Sequence, residues 1–242
     1  MRLRAVVAQT RAEILLQVRR GENALVTLAI PLGVLVFFAR VDAIDTGFDE
    51  PVDFVVPGVL ALSVMAAAMV SLGIATGFER RYGVLKRLGS TPLSRGGLLA
   101  AKTATVLLLE GVQFALVVAV GVALGWEPDA GLVPAVGLMA LGTVAFAGIG
   151  LLLAGTLRAE ANLAAANGLF LVLVFLGGMA YPLERLPAAL EAVARALPAA
   201  ALAETLRGAL TTDPFPTGAL VVLAAWAVLA PLAAGRWFRW EE

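Results

Sequence analysis

The chain reads as an all-α integral membrane protein. Its sequence predicts six transmembrane helices, an N-terminal amphipathic interfacial helix and a short external re-entrant helical hairpin before the last span. Three observations predict this class. Hydrophobic residues make up 60% of the 242 residues, charged residues only 15%, and mean hydropathy is +0.91, whereas a soluble domain carries about a quarter charged residues. Six apolar segments meet or approach the roughly 20 residues needed to cross about 30 Å of hydrocarbon. None alternates with the period of two that a membrane barrel requires.

Residues 1–20 come first. Arg2, Arg4, Arg11, Arg19 and Arg20 are too many charges over too long a stretch for a cleavable signal peptide. Leu3, Val6, Val7, Thr10, Ile14 and Val18 recur at helical spacing. The segment reads as a helix lying in the interface, arginines toward lipid headgroups, able to brace a cytoplasmic partner. The competing reading is a positive anchor that only orients the first span. That span, 23–39, is short and holds Pro31, which membrane helices tolerate when neighbours satisfy the freed backbone groups.

The first external loop gathers Asp42, Asp45, Asp49, Glu50 and Asp53. A solvated loop is the expected reading over a weak divalent-cation site, because the regular ligand spacing of a calcium loop is missing. The second span, 54–78, leads into a dense basic loop, 79–97, which no hydrocarbon core accepts. Within it Val84, Leu85 and Leu88 fall on one helical face among cations, and Thr91 and Pro92 end the turn. A pure topology signal needs neither stripe nor punctuation, so the loop reads as a docking handle.

The third span, 98–125, opens on the run GGLLAAKT at 96–103. This imitates a phosphate loop, but Ala101 stands where the second glycine belongs, and the run leads from a basic loop straight into a span rather than from a strand. Lys102 is expected to snorkel to the inner interface. Deeper in the same span stands Glu110, at a cost of about 2.5–3.5 kcal/mol at a helix centre. Gln113 is its expected local hydrogen-bond partner. Glu110 and Gln113 either line a transport pathway, favouring cationic amphiphiles, or form a neutral helix–helix contact.

The remaining spans fall at 132–157, 162–181 and 217–235. Gly73 with Gly77, and Gly121 with Gly125, have the spacing that lets membrane helices approach closely; Gly148, Gly150 and Gly155 extend the pattern on the fourth span, for packing within the chain or at a subunit interface. In 182–213, Leu183, Leu186, Leu190, Val193 and Leu197 follow a 3–4 rhythm, and Pro198 interrupts it before Leu202 and Leu206. Two short helices joined at a proline are expected there, packed on the bundle; the plainer reading is a surface loop helix. Trp126, Trp237 and Trp240 lie near span boundaries, as an interfacial belt places them, with Trp226 nearer mid-span.

Charge sets the orientation. With both termini cytoplasmic, every Lys and Arg lies inside except Arg40, Arg185, Arg195 and Arg207, although formal net charge is zero. That asymmetry supports an even number of spans in the cell inner (plasma) membrane. No repeat or Pro/Ser-rich linker divides the chain, so 1–242 reads as a single transmembrane domain. The absence of Cys and His removes thiolate and imidazole chemistry and most transition-metal sites; no catalytic residue, metal site or nucleic-acid partner is expected. A membrane-bound lipid-modifying enzyme would need clustered acids or His near the interface.

Glu79, Gly83, Leu85, Lys86, Arg87, Leu88, Thr91, Pro92, Leu93 and Lys102, with the spans in matching order, resemble the ABC-2 type permeases, the membrane subunits of ATP-binding-cassette exporters. A second match runs from Gly178, Met179, Ala180, Tyr181, Pro182, Leu183, Glu184, Arg185, Leu186 and Pro187 to Leu197, Pro198, Glu204, Thr205, Leu206 and Arg207. The flavour is that of the drug-resistance exporters typified by daunorubicin and doxorubicin permeases. The sequence departs at residues 199–201, all alanine, where relatives often carry polar or aromatic residues.

The resemblance implies a permease subunit without its own ATPase site. A separate ATPase subunit would hold ATP and Mg; this chain would bind no cofactor and act as a homodimer or beside a similar subunit, among membrane lipids. Residues 79–97 would form the coupling loop. There Arg80, Arg81, Lys86 and Arg87 would pair with partner acids while Val84, Leu85 and Leu88 bury. Tyr181, Pro182, Leu186, Pro187 and Pro198 would belong to an outer gate. The cargo would be an amphiphilic drug, lipid or glycolipid. The alternative is an ion-gradient-driven secondary transporter, for which Glu110 is the one supporting residue.

Overall fold

A computed structural model describes residues 2–19, 21–40, 51–91, 93–128, 131–179, 181–211 and 214–239. The acids Asp42, Asp45, Asp49 and Glu50, together with Arg20, Pro92, Ala180, Asp213 and Trp240, lie outside them. The described residues form helices and connections, with no strand among them. The helices are α1 (Arg2–Arg19), α2 (Gly21–Arg40), α3 (Pro51–Met65), α4 (Leu72–Arg81), α5 (Val84–Gly89), α6 (Arg95–Ala123), α7 (Leu132–Thr156), α8 (Ala159–Leu176), α9 (Ala188–Arg195), α10 (Pro198–Leu210) and α11 (Thr217–Trp237). A π-helical segment, Ala66–Ser71, joins α3 to α4 as one continuous rod.

Among the described residues, five rods are long and apolar enough to cross a membrane: Pro51–Arg81, Gly96–Ala123, Leu132–Thr156, Ala159–Leu176 and Thr217–Trp237. A shorter apolar helix, Ala29–Arg40, supplies the sixth expected segment. Their outward faces stay apolar, as at Leu108 and Val112 on α6, Phe175 on α8 and Leu232 on α11. In water such surfaces drive aggregation; against lipid tails they match their solvent. The chain is therefore a multi-pass membrane protein.

Helix α7 is the hub, touching α3, α4, α6, α8, α10 and α11. Glycines let it do so. A Cβ on Gly150 would lie 2.5 Å from the Met69 carbonyl oxygen, and one on Gly73 would lie 3.0 Å from that of Gly150. A Cβ on Gly148 would lie 2.5 Å from the backbone nitrogen of Pro231. These small residues pack helices within the chain. The second pair behaves differently: α6 ends at Ala123, and Gly125, at φ 98°, closes the turn after it instead of packing a helix. Trp126 is also corrected. It is 1% exposed, against Gly121 in the core, and is no part of an interfacial belt, whereas Trp237 is exposed.

At one end of the bundle sit α1, α5 and the last residues of α11; at the other sit α9 and the 3-10 turn Leu183–Arg185. Helix α10 is sunk into the bundle against α3, α7 and α11, with Leu202 and Leu206 fully buried. The two-helix hairpin is present, but its expected single stripe is not. Pro187 restarts the chain as α9, so Leu190 and Val193 face outward and Ala194 turns inward.

Gly150→Val should force the α4–α7 backbones apart at a cost of about 1–3 kcal/mol. Gly137 has nothing within 4 Å of its Cβ position, so Gly137→Ala should be neutral or slightly stabilising. Thermal unfolding in detergent micelles checks both.

Candidate functional site

The loop between the second and third long rods is built around Gly83. Its left-handed φ of 71° lets the chain reverse after α4 and start α5, a conformation costly for residues with a Cβ. Six residues later the helix is tied off. Ser90 Oγ donates to the Arg87 carbonyl at 2.7 Å, and Thr91 Oγ1 donates to that of Leu88 at 2.6 Å. The Leu93 amide in turn donates to Thr91 Oγ1 at 3.3 Å.

Val84, Leu85 and Leu88 do not share one exposed face. Leu85 is 0% exposed and packs with Leu93, Leu98 and Phe238, joined by Val6 and Leu88. A helix this short has no stability of its own, so its most apolar position anchors it to its own chain. Arg80 is corrected too: it is buried, and its Nη2 donates to the Leu157 carbonyl at 2.5 Å. Arg81 pairs with Glu160 of α8. What remains outward is Tyr82, 69% exposed, with Val84, Lys86 and Arg87. Sequence reasoning missed Tyr82, whose ring stacks on Phe78 at 6.2 Å.

Lys102 does not snorkel. It is 2% exposed, with Nζ 3.0 Å from Glu13 Oε1 of α1 and 2.7 Å from Glu79 Oε2 of α4. Two carboxylates from different helices outcompete the interface for its charge. The run 96–103 is helix, not loop: Ser94 caps α6 by accepting from the Gly97 amide at 3.2 Å.

Glu110 is buried at mid-span, where Thr143 Oγ1 of α7 donates to its Oε2. This cross-helix partner was not foreseen. Gln113 is buried one turn further along α6. Oε1 of Glu110 has no hydrogen-bond partner among the described residues.

The candidate gate residues divide. Tyr181 donates its hydroxyl to the Phe175 carbonyl at 2.5 Å, Pro182 starts the 3-10 turn, and Leu186 packs on Leu183, Ala194 and Ala200. Pro187 is exposed. Pro198 begins α10 and lines an apolar cavity of about 270 Å³ with Leu152, Leu169, Leu173, Leu197 and Trp226. Trp226 Nε1 donates to the Ala196 carbonyl at 3.0 Å, closing the hairpin onto α11. Arg195 ties the hairpin together through Glu184, Glu191 and Glu204 at 3.1, 2.9 and 2.9 Å. Arg207 donates to the Gly178 carbonyl at 2.9 Å and lies 4.2 Å over the Phe54 ring, pinning α10 to α3.

The family model of the ABC-2 type transporter matches residues 4–211. The chain belongs to the ABC-2 type transporter family. It is 29% identical over 168 residues to the probable multidrug ABC transporter permease YbhS of Escherichia coli strain K12, covering 67% of this chain and 44% of YbhS. The protein of that name from Escherichia coli O157:H7 gives the same figures. The chain thus spans less than half the length of the curated relatives it matches.

Within this ABC-2 chain the candidate residues fall in three layers: 79–91 at one end, Glu110 and Gln113 within, and 181–198 at the other. Asn162 is a further buried polar residue that sequence reasoning passed over. Its Nδ2 donates to the Gly73 carbonyl at 2.9 Å, and its side chain fills the space beside Gly77. Only the missing Cβ at Gly77 hinted at such a neighbour.

Leu85→Ala should destabilise the folded chain by about 2–5 kcal/mol, whereas Val84→Ala should stay within about 0.5 kcal/mol; thermal unfolding separates them. Glu204 gives a pH signature. Burial pushes its carboxyl above the ordinary 4.5, outweighing Arg195, which three carboxylates share. The folded state therefore holds this proton to higher pH than the unfolded state does. Its stabilising contribution is full below 4.5 and lost as pH rises through the folded value. Glu204→Gln should remove that slope from unfolding temperature plotted against pH.

Proposed function

We propose that this chain is the transmembrane permease subunit of an ATP-binding-cassette exporter of the drug-resistance type, paired with a second permease and driven by a separate ATPase. Residues 1–242 would act as one permease domain with both termini cytoplasmic. ATP and Mg would sit on the ATPase, leaving this chain no catalytic step of its own. Family membership and the likeness to a probable multidrug permease support this reading.

One observation carries it: a six-residue helix is locked to the bundle through Leu85 while Tyr82, Val84, Lys86 and Arg87 stay outward. Such a helix suits a handle. The apolar anchor couples it to α6 and the end of α11, and the outward face would offer an aromatic ring, an aliphatic side chain and the Arg87 cation to an acidic groove. Displacing α5 would drag those helices and rock the bundle. Arg80, Leu85 and Glu79 would serve as the internal mounting, while Gly83, Thr91 and Pro92 would set the angle of the helix. At the far end, the hairpin with Tyr181, Pro182, Leu186, Pro187 and Pro198 would form the outer gate. Glu110 and Gln113 would face the path of an amphiphilic cargo, a drug, lipid or glycolipid.

The test is co-purification with an ATP-binding-cassette ATPase and measurement of ATP hydrolysis in lipid nanodiscs. Val84→Asp with Arg87→Glu should cut association and stimulated hydrolysis at least roughly tenfold, given two lost interface contacts, with unfolding temperature unchanged. Undiminished association of that variant would remove α5 from the interface. Cargo movement driven by an imposed ion gradient without any ATPase would establish the secondary transporter instead.

A further inference from the structure

Helices α8 and α11 both lie on α7, yet among the described residues they share at most a marginal contact with each other. The cleft left between them is the apolar cavity of about 270 Å³. Its walls follow the helix axes. Trp226, Ala230 and Ala233 share one face of α11 and span about 10 Å along it. Leu169 and Leu173, one turn apart on α8, complete the walls with Ile149 and Leu152 of α7. Two alanines on α11 make the room, because they put methyl groups where α8 presents leucines. One end of this slot is stopped by Leu197 and Pro198 at the hairpin elbow, which the bond from Trp226 to the Ala196 carbonyl holds in place. The other end lies about one turn short of Thr156 and Trp237, where α7 and α11 finish. Leu229 lines the side and is 63% exposed, so the slot opens sideways within the span.

The lining decides what can fill it. Every side chain there is apolar apart from the Trp226 indole N–H, which is spent on Ala196. A water requires about two to four polar partners, so water does not occupy the slot. An apolar cavity of about 150 Å³ takes benzene; this larger one borders lipid tails, and a void costs stability in proportion to its volume. Nor does the slot belong to the Glu110 layer. At about 100° per residue, Ile149 and Leu152 lie about 240° and 180° around α7 from Thr143, the partner of Glu110.

We propose that the slot binds one acyl chain of a membrane phospholipid, which enters from the end carrying α1 and α5 and rests its terminal methyl against the hairpin elbow. Exposed Trp237 and Arg236 mark the headgroup level at that end, so a tail running along α11 meets the slot within one turn. Tail and lining are alike in polarity, and selection comes from shape: a flexible, unbranched chain follows a slot two turns long and contacts all of its walls. The bound tail replaces the missing contact between α8 and α11 and props the elbow from which α10 starts. The inference rests on the chain spanning a membrane and on neither ATPase nor cargo, so it stands or falls separately from the exporter reading.

The test uses the full chain in phosphatidylcholine nanodiscs containing a trace of phosphatidylcholine with a diazirine either near the methyl end or near the carboxyl end of one acyl chain. Adducts are mapped by mass spectrometry, and thermal unfolding is run on each variant. The methyl-end probe should label buried Leu173 and Pro198, and the carboxyl-end probe Leu152 and Ala233. Ala233→Phe, which puts a ring into the slot, should cut adducts at Leu173 and Pro198 roughly tenfold while leaving those at lipid-facing Leu171 and Leu232 unchanged. If Ala233→Phe does not fold, Leu169→Trp fills the slot from the other wall and must give the same loss. Labelling of Leu171 and Leu232 without Leu173 and Pro198 in the wild type overturns the site. Undiminished labelling at Leu173 in a folded, filled variant does so too. The reverse order of the two probes overturns the end of entry, and protection of Leu173 by an excess of tetraphenylphosphonium would make the slot a cargo pocket instead.

Discussion

Backbone-to-backbone contact at α7 is the constraint on which the rest of this structure depends. Lipid tails are as apolar as leucine, so burial of apolar side chains gives membrane helices little reason to associate. What holds them is close approach, and close approach requires missing side chains. Gly150 against the π-helical segment and Gly148 against Pro231 place α4 and α11 directly on α7. Once those three are fixed, α10 and α3 have a surface to pack on, and α6 closes the remaining side. A side chain introduced at either glycine acts on the whole arrangement, because no flexible group stands opposite to give way.

At the end carrying α1 and α5, a different chemistry takes over. Leu85, Leu93, Leu98 and Phe238 form a small apolar knot drawn from three segments, and Lys102 with Glu13 and Glu79 forms a charged one a turn deeper along α6. The two knots complement each other. The apolar one resists separation of α5 from the bundle, and the charged one fixes which face α1 presents. A buried lysine with two carboxylates is a poor source of net stability, yet it is directional in a way that an apolar contact is not. That directionality fixes the faces that α1, α4 and α6 turn to one another.

The spans were legible because hydrocarbon imposes one rule on every residue within it. Long apolar runs and the charges between them therefore marked the rods to within a few residues, and the proline at 198 marked the break in the hairpin. Facing was not legible in the same way. Val84, Leu85 and Leu88 obey helical periodicity equally well whether they meet a partner or their own chain, and only the positions of Leu93, Leu98 and Phe238 decide which. The same holds for Lys102, whose partners lie 89 residues upstream and on a neighbouring rod. Trp126 looked like a boundary residue because composition places it at a span end; the void beside Gly121 draws it inside. Long-range partners are what a local pattern lacks.

The π-helical segment Ala66–Ser71 has a consequence for how the second span meets its neighbours. A π turn accommodates one residue more than the α-helical ladder, so the stretches on either side of it are out of phase by about 100° around the common axis. One unbroken rod can thereby aim two differently directed faces. Pro51–Met65 meets α2, α6 and α10, Leu72–Arg81 meets α8, and both halves keep contact with α7. Had the rod been a plain α-helix, a single hydrophobic stripe would have had to serve both sets of neighbours. The inserted residue acts instead as an angular offset, letting two halves of one span belong to two different packing arrangements without a break in the backbone.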